Sequence, residues 1–232
     1  MRKFDYTFLK KISVPADIMN SATSIYEMKA KAELRRTDFA EVFSAMESVA
    51  KIQSVKISNA IKWIIMTDKR IRDIVNKSTA PLGHNELEIA GYRDALDLIH
   101  GSYSDIPFSE KSILELHRML LQPSGDDLAG KYKTEDNSIM EIDREGVRSV
   151  RFTPVPAGET STAMEQLILA YHAAYLEAEI NPLLLIPCVI LDFLCIHPFR
   201  GGNGRMSRLL SLLLLYKSGF SSGKYVSIAY PY

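Results

Sequence analysis

The run His197-Pro198-Phe199-Arg200-Gly201-Gly202-Asn203-Gly204-Arg205-Met206-Ser207-Arg208 brings together the groups that chemistry on a phosphate requires. His197 closes an apolar stretch, where an imidazole can serve as a general base near neutral pH. A glycine-rich turn follows, and at the start of a helix its backbone N–H groups offer a favourable place for an anion. Arg205 and Arg208 are three apart, so on a helix they share a face and can add bidentate donors. The combination reads as a phosphate cradle with a base beside it. No Gly-Lys-Ser/Thr follows, as a Walker A loop would require, and no strand precedes it, as a dinucleotide fingerprint would.

Helices must hold these groups. Apolar residues at helical spacing predict helices over 16–34 (Ile18, Ala22, Ile25, Met28, Ala32) and 38–52 (Phe39, Val42, Phe43, Met46, Val49). Further helices are expected over 86–100, then over 110–121 with Ser109 as N-cap, and over 160–178, 182–195 and 204–217. The leucines at 209, 210 and 212–215 leave the last of these almost no polar side, which predicts a central position. Residues 138–142 and 147–152 alternate in apolar character around Asp143-Arg144-Glu145-Gly146, the one convincing β-hairpin. The predicted fold class is all-α with one hairpin.

Composition sets outer limits. The chain has 232 residues, 28 Lys plus Arg against 28 Asp plus Glu, and a formal charge of zero. A general nucleic-acid binder needs a basic excess, so no nucleic-acid partner is expected. Cys188 and Cys195 stand two helical turns apart and frame no disulfide or metal cluster, which suits a reducing cytoplasm. The amino terminus lacks a signal-peptide core. The most apolar stretch, 183–196, is interrupted by Pro187 and Asp192 and is shorter than the roughly 20 residues a bilayer needs, so no membrane span is expected. His84, His100, His117 and His172 are scattered without metal spacing and read as structural or surface residues. Asp126 and Asp127 read as a solvated loop, and Trp63 as a packing residue.

The run from His197 to Arg208 resembles the signature of the Fic (Fido) family, His-x-Phe-x-Asp/Glu-Gly-Asn-Gly-Arg-x-x-Arg. The likeness extends to Ile89-Ala90-Gly91-Tyr92-Arg93-Asp94-Ala95-Leu96, to Gly130-Lys131-Tyr132-Lys133 and to Arg151-Phe152-Thr153-Pro154. It implies a Fic-type helical bundle with one β-hairpin flap, and transfer of AMP from ATP to a Ser, Thr or Tyr hydroxyl of a target protein. His197 would take the hydroxyl proton. Gly202, Asn203 and Gly204 would form the anion hole, Arg205 and Arg208 would hold the β and γ phosphates, and Phe199 would anchor the loop. The flap over 141–156, with Arg151, Phe152 and Thr153, would hold the target backbone by strand addition. The implied organisation is an N-terminal helical region over 1–80 packed on a catalytic core over 81–232, in the cytoplasm. The target and any homo-oligomer stay open.

Two departures bear on activity. Gly201 stands where the family carries the acid that helps hold Mg²⁺, and glycine offers no side-chain oxygen to a hard cation. Weakened transfer is expected, with ATP still bound. Segment 54–65 resembles the family's inhibitory helix, Ser/Thr-x-x-x-Glu-Gly/Asn, through Ser58; but Lys62 replaces the glutamate that would pair with Arg208, and Trp63 replaces the glycine. The competing reading is a catalytically silent Fic-fold module that binds nucleotide or a protein partner.

Overall fold

Six of the seven residues from 209 to 215 are leucine, and a helix so apolar must be surrounded. The computed structural model describes residues 4–60, 66–143 and 145–228. Among them are eight α-helices and one two-stranded sheet, in the order α1 (Ala16–Arg35), α2 (Ala40–Ala60), α3 (Asp68–Val75), α4 (His84–Ser102), α5 (Glu110–Leu121), β1 (Ile139–Ile142), β2 (Arg148–Phe152), α6 (Thr160–Leu176), α7 (Pro182–Ile196) and α8 (Asn203–Lys217). The fold is an all-α bundle with a single hairpin. Helix α8 is its axis: Met206, Leu209, Leu210, Leu212, Leu213, Leu214 and Tyr216 are buried, and α7, α4 and α5 pack around them.

The boundaries follow capping chemistry. Ser109 accepts the Ser112 N–H at 3.3 Å and starts α5. Asn181 accepts the Leu183 N–H at 2.9 Å and starts α7, with Pro182 at a first-turn position where its missing N–H costs nothing. Helix α3 was not legible in the sequence; Thr67 caps it by accepting the Arg70 N–H at 3.3 Å, and it buries only Ile71, Ile74 and Val75.

Helix α1 departs from expectation. The face bearing Ile18, Ile25 and Met28 is amphipathic in sequence, yet no residue of α1 is buried and Met28 is 59% exposed. Helix α2 runs on to Ala60, and only its second half enters the core, through Ala50, Ser54, Val55, Ser58 and Asn59. Two apolar cavities lie apart from the glycine-rich loop. One of about 500 Å³ lies between α1, α2 and the segment 220–228, and one of about 390 Å³ between α7 and α8. No helix among the described residues is long and apolar enough to cross a membrane.

The hairpin pairs Met140 with Val150, Glu141 with Ser149 and Ile142 with Arg148, then Ile139 with Phe152, which leaves Arg151 as the extra residue of a bulge. Met140, Ile142, Val150 and Phe152 are all exposed, so neither face of the hairpin is covered. Its root is pinned where Asp136 accepts the Ala157 N–H at 2.7 Å.

Candidate active site

Helix α7 ends by placing His197 in the left-handed region, φ 51°, with its N–H donated to the Phe193 carbonyl at 2.9 Å. A side chain there carries backbone strain, which the surrounding contacts must hold. The imidazole Nδ1 lies 3.4 Å from the Leu194 carbonyl. A carbonyl can only accept, so Nδ1 carries the proton and Nε2 keeps the lone pair a base requires. Burial lowers the pKa of this half-buried ring below its ordinary value. The Leu194 carbonyl works against that, and the charge of Lys133 adds to it. All these effects together leave the ring neutral at pH 7.

The loop after His197 is fastened through its carbonyls. Lys133 Nζ donates to Ile196 at 3.3 Å, and the Lys133 backbone N–H donates to Pro198 at 2.9 Å. Asn137 Nδ2 donates to Phe199 at 3.3 Å, and His117 Nε2 lies 3.1 Å from the Gly201 carbonyl. Phe199 is fully buried, its ring stacked on His117 with centroids 3.6 Å apart and planes 7° apart. Asn203 closes the loop on itself: its Oδ1 accepts the Phe199 N–H at 3.0 Å and its Nδ2 donates to the Phe199 carbonyl at 2.7 Å. The side chain of Asn203 is thus committed to the loop, and its backbone N–H is what it can offer an anion.

Helix α8 then starts without a side-chain cap, at Gly202 with φ +81°. A β-carbon there would be strained by that angle and would lie 3.3 Å from Leu120 Cδ2. The first N–H groups of an uncapped helix lack intrahelical acceptors and carry the positive end of its dipole, so they suit a phosphate oxygen.

The two arginines are held differently. Arg205 is 2% exposed and its Nη1 sits 2.8 Å from Glu88 Oε2 on α4, while His84 Nε2 lies 3.1 Å from the other carboxylate oxygen, Oε1. Arg205 Nε and Nη2 have no hydrogen-bond partner among the described residues. Burial lowers the pKa of this guanidinium while Glu88 opposes the change; an arginine stays charged regardless. Arg208 donates from Nε to Ser58 Oγ at 2.9 Å and from Nη2 to the Ser58 carbonyl at 3.1 Å, beside the buried Tyr92 phenol. Ser58 at the C-terminal end of α2 therefore reaches the signature arginine through neutral acceptors. Lys62 and Trp63 lie outside the described residues.

Gly201 differs from its neighbour. Its φ lies outside the left-handed range, and a β-carbon built on it meets nothing within 4 Å. The glycine is not demanded by the fold. The acids tied to this loop, Asp126 and Asp127, are paired with Arg200 at 3.0 and 3.2 Å. Among the described residues no group of three or more His, Cys, Asp or Glu could hold a metal ion. Gly201 itself offers no side-chain oxygen to the Mg²⁺ that the family resemblance implies.

Arg151, Phe152 and Thr153 lie exposed on and just after β2, Arg151 Nη1 being 3.7 Å from Glu141. Asn137, two residues before β1, touches both Phe199 and Lys133, so the flap root sits on the signature loop. Sequence reasoning left His117 and Lys133 out of the site. A buried histidine in a mainly apolar helix face was the available signal for the first.

Residues 107–215 match the profile of the Fic/DOC family. The chain is 27% identical to protein adenylyltransferase Fic of Nematostella vectensis over 181 residues, 74% of this chain and 39% of that protein. It is 28% identical to protein adenylyltransferase fic-1 of Caenorhabditis elegans over 194 residues, 81% of this chain and 33% of that one. It thus spans between a third and two fifths of these relatives. A Fic domain containing signaling protein from Bacteroides thetaiotaomicron shares the fold, with TM-score 0.72 and 22% identity over 84% of this chain and 73% of that one.

Proposed function

We propose that this chain binds ATP with its phosphates against the start of α8 and transfers AMP to a hydroxyl side chain of a protein held along the flap, slowly because Gly201 supplies no acid. The observation that carries the reading is the uncapped start of α8, with the preceding carbonyls already engaged and a base-competent His197 at the head of the same loop. In the reaction the target oxygen bonds to the α-phosphorus and the bond from that phosphorus to the bridging oxygen of the β-phosphate breaks. His197 Nε2 takes the hydroxyl proton, and pyrophosphate leaves with the electron pair. Phe199 and Asn203 keep the loop N–H groups in place, and Arg208 must exchange Ser58 for a phosphate oxygen.

The second reading, a binding module without transfer, draws on the arginines: Arg205 is paired with Glu88 and Arg208 with Ser58 before any ligand arrives. Labelled ATP separates the two. Gly201→Glu is expected to raise AMP incorporation into bait protein or into the chain itself by tenfold or more, and His197→Ala to abolish it. Calorimetric ATP binding without incorporation in Gly201→Glu favours the binding module; neither binding nor incorporation removes the transfer reading and the nucleotide-binding form of the second.

A further inference from the structure

His117 sits on α5, 84 residues before the glycine it touches, in a position the proposed chemistry does not use. It is 1% exposed. Its Nδ1 lies 3.0 Å from the Gly130 N–H, which can only donate, so Nδ1 is unprotonated. The proton is therefore on Nε2 and is donated to the Gly201 carbonyl at 3.1 Å. Both partners fix one tautomer. An imidazolium would set two N–H groups against each other at Gly130. Burial pushes the pKa of His117 down to about 4, so this neutral form persists from pH 5 to 8.

The place it holds is the softest in the loop. Gly201 and Gly202 are adjacent glycines, and without β-carbons their backbone has the widest choice of conformations. The carbonyls of Ile196, Pro198 and Phe199 are fixed from the segment 133–137, whose hydrogen bonds to the loop stop at Phe199 among the described residues. The next carbonyl held is that of Gly201, and His117 holds it. Rotating that peptide would swap the carbonyl for the N–H of Gly202, which directly precedes the donors of α8. The flat stack on Phe199 stops the imidazole from following such a rotation.

We infer that His117 is a positioning residue: it locks the Gly201–Gly202 peptide in the orientation that turns the loop's N–H groups to the phosphates. This deepens the proposed nucleotide reading and rests on it. Two substitutions divide the roles of the ring. His117→Phe keeps the stack on Phe199 and removes both hydrogen bonds. His117→Gln places an amide donor near the Nε2 position and gives up the stack.

ATP affinity of the full chain is measured by calorimetry, with thermal melts and amide NMR spectra alongside. His117→Phe is expected to melt within a few degrees of the parent and to bind ATP at least tenfold more weakly. Its Gly201–Gly204 amide resonances should shift while those of α1 stay. His117→Gln should recover affinity to within about threefold of the parent although it melts lower. Parent-like affinity in His117→Phe, or affinity that tracks melting temperature across both variants, overturns the inference. If the parent itself does not bind ATP, the nucleotide reading fails while the loop amides still decide the positioning role: unmoved resonances in His117→Phe overturn it, and shifted ones support it.

Discussion

Helices α1 and α8 both read as helices in the sequence and meet opposite fates. Both are long, both carry apolar residues at helical spacing, and both read as helices from pattern alone. Helix α8 buries ten residues and is walled by three other helices; α1 buries none. Periodicity reports which face could be covered, while burial depends on whether other elements arrive to cover it. The site sits where the carbonyls of Ile196, Pro198, Phe199 and Gly201 are engaged, and not at the open end where the larger of the two cavities lies.

That contrast can be broken in order of size. Phe199→Ala should cost about 3–5 kcal/mol in urea unfolding, because it empties a fully buried site and removes the stack on His117. Glu88→Gln leaves the Arg205 charge buried without its counterion and should cost about 3 kcal/mol, well above the effect at a surface ion pair such as Lys56–Asp68.

Acid should act on the covered half next. Burial holds His117 and His100 at about 4, below the ordinary 6.5. The unfolded chain takes these two protons first. The stability they represent is therefore complete above pH 6.5 and is lost as pH falls toward 4, up to about 3 kcal/mol per ring. Glu86, held near 2 by Arg70, loses its contribution only below its ordinary 4.5, so urea melts at pH 7.5 and 4.8 isolate the histidines. His117→Phe should flatten part of that slope.

Smaller still, Gly202→Ala should cost about 1–2 kcal/mol from its positive φ, while Gly201→Ala should stay within about 0.5 kcal/mol. Smallest of all, Met28→Ala on α1 should move the melting point by less than the scatter between preparations, within about 0.5 kcal/mol. A loss of several kcal/mol there would mean that α1 is covered in solution.

Much of this is legible in the sequence. Ser109 announced its helix through a local hydrogen bond, and the turn 143–146 announced the hairpin, because both signals lie within a few residues of what they control. The loop from His197 to Arg208 was legible for the same reason. Helix α3 was hidden because eight residues hold too few turns to show a period. His117 and Lys133 were hidden because their partners lie 84 and 63 residues away, and no local pattern encodes a contact that only packing creates. The commitment of Arg205 to Glu88 was invisible likewise, with α4 and α8 far apart in sequence.

The hairpin has a fixed foot and two bare margins. A polypeptide laid along either margin would be gripped through its main chain, in steps of two residues. Because the foot is tied to Phe199, those steps are counted from the same origin as His197. Under the proposed transfer, such an arrangement would measure how far along a guest strand a hydroxyl falls and would be indifferent to most of the guest's side chains, so selectivity would arise as a ruler's does, by distance.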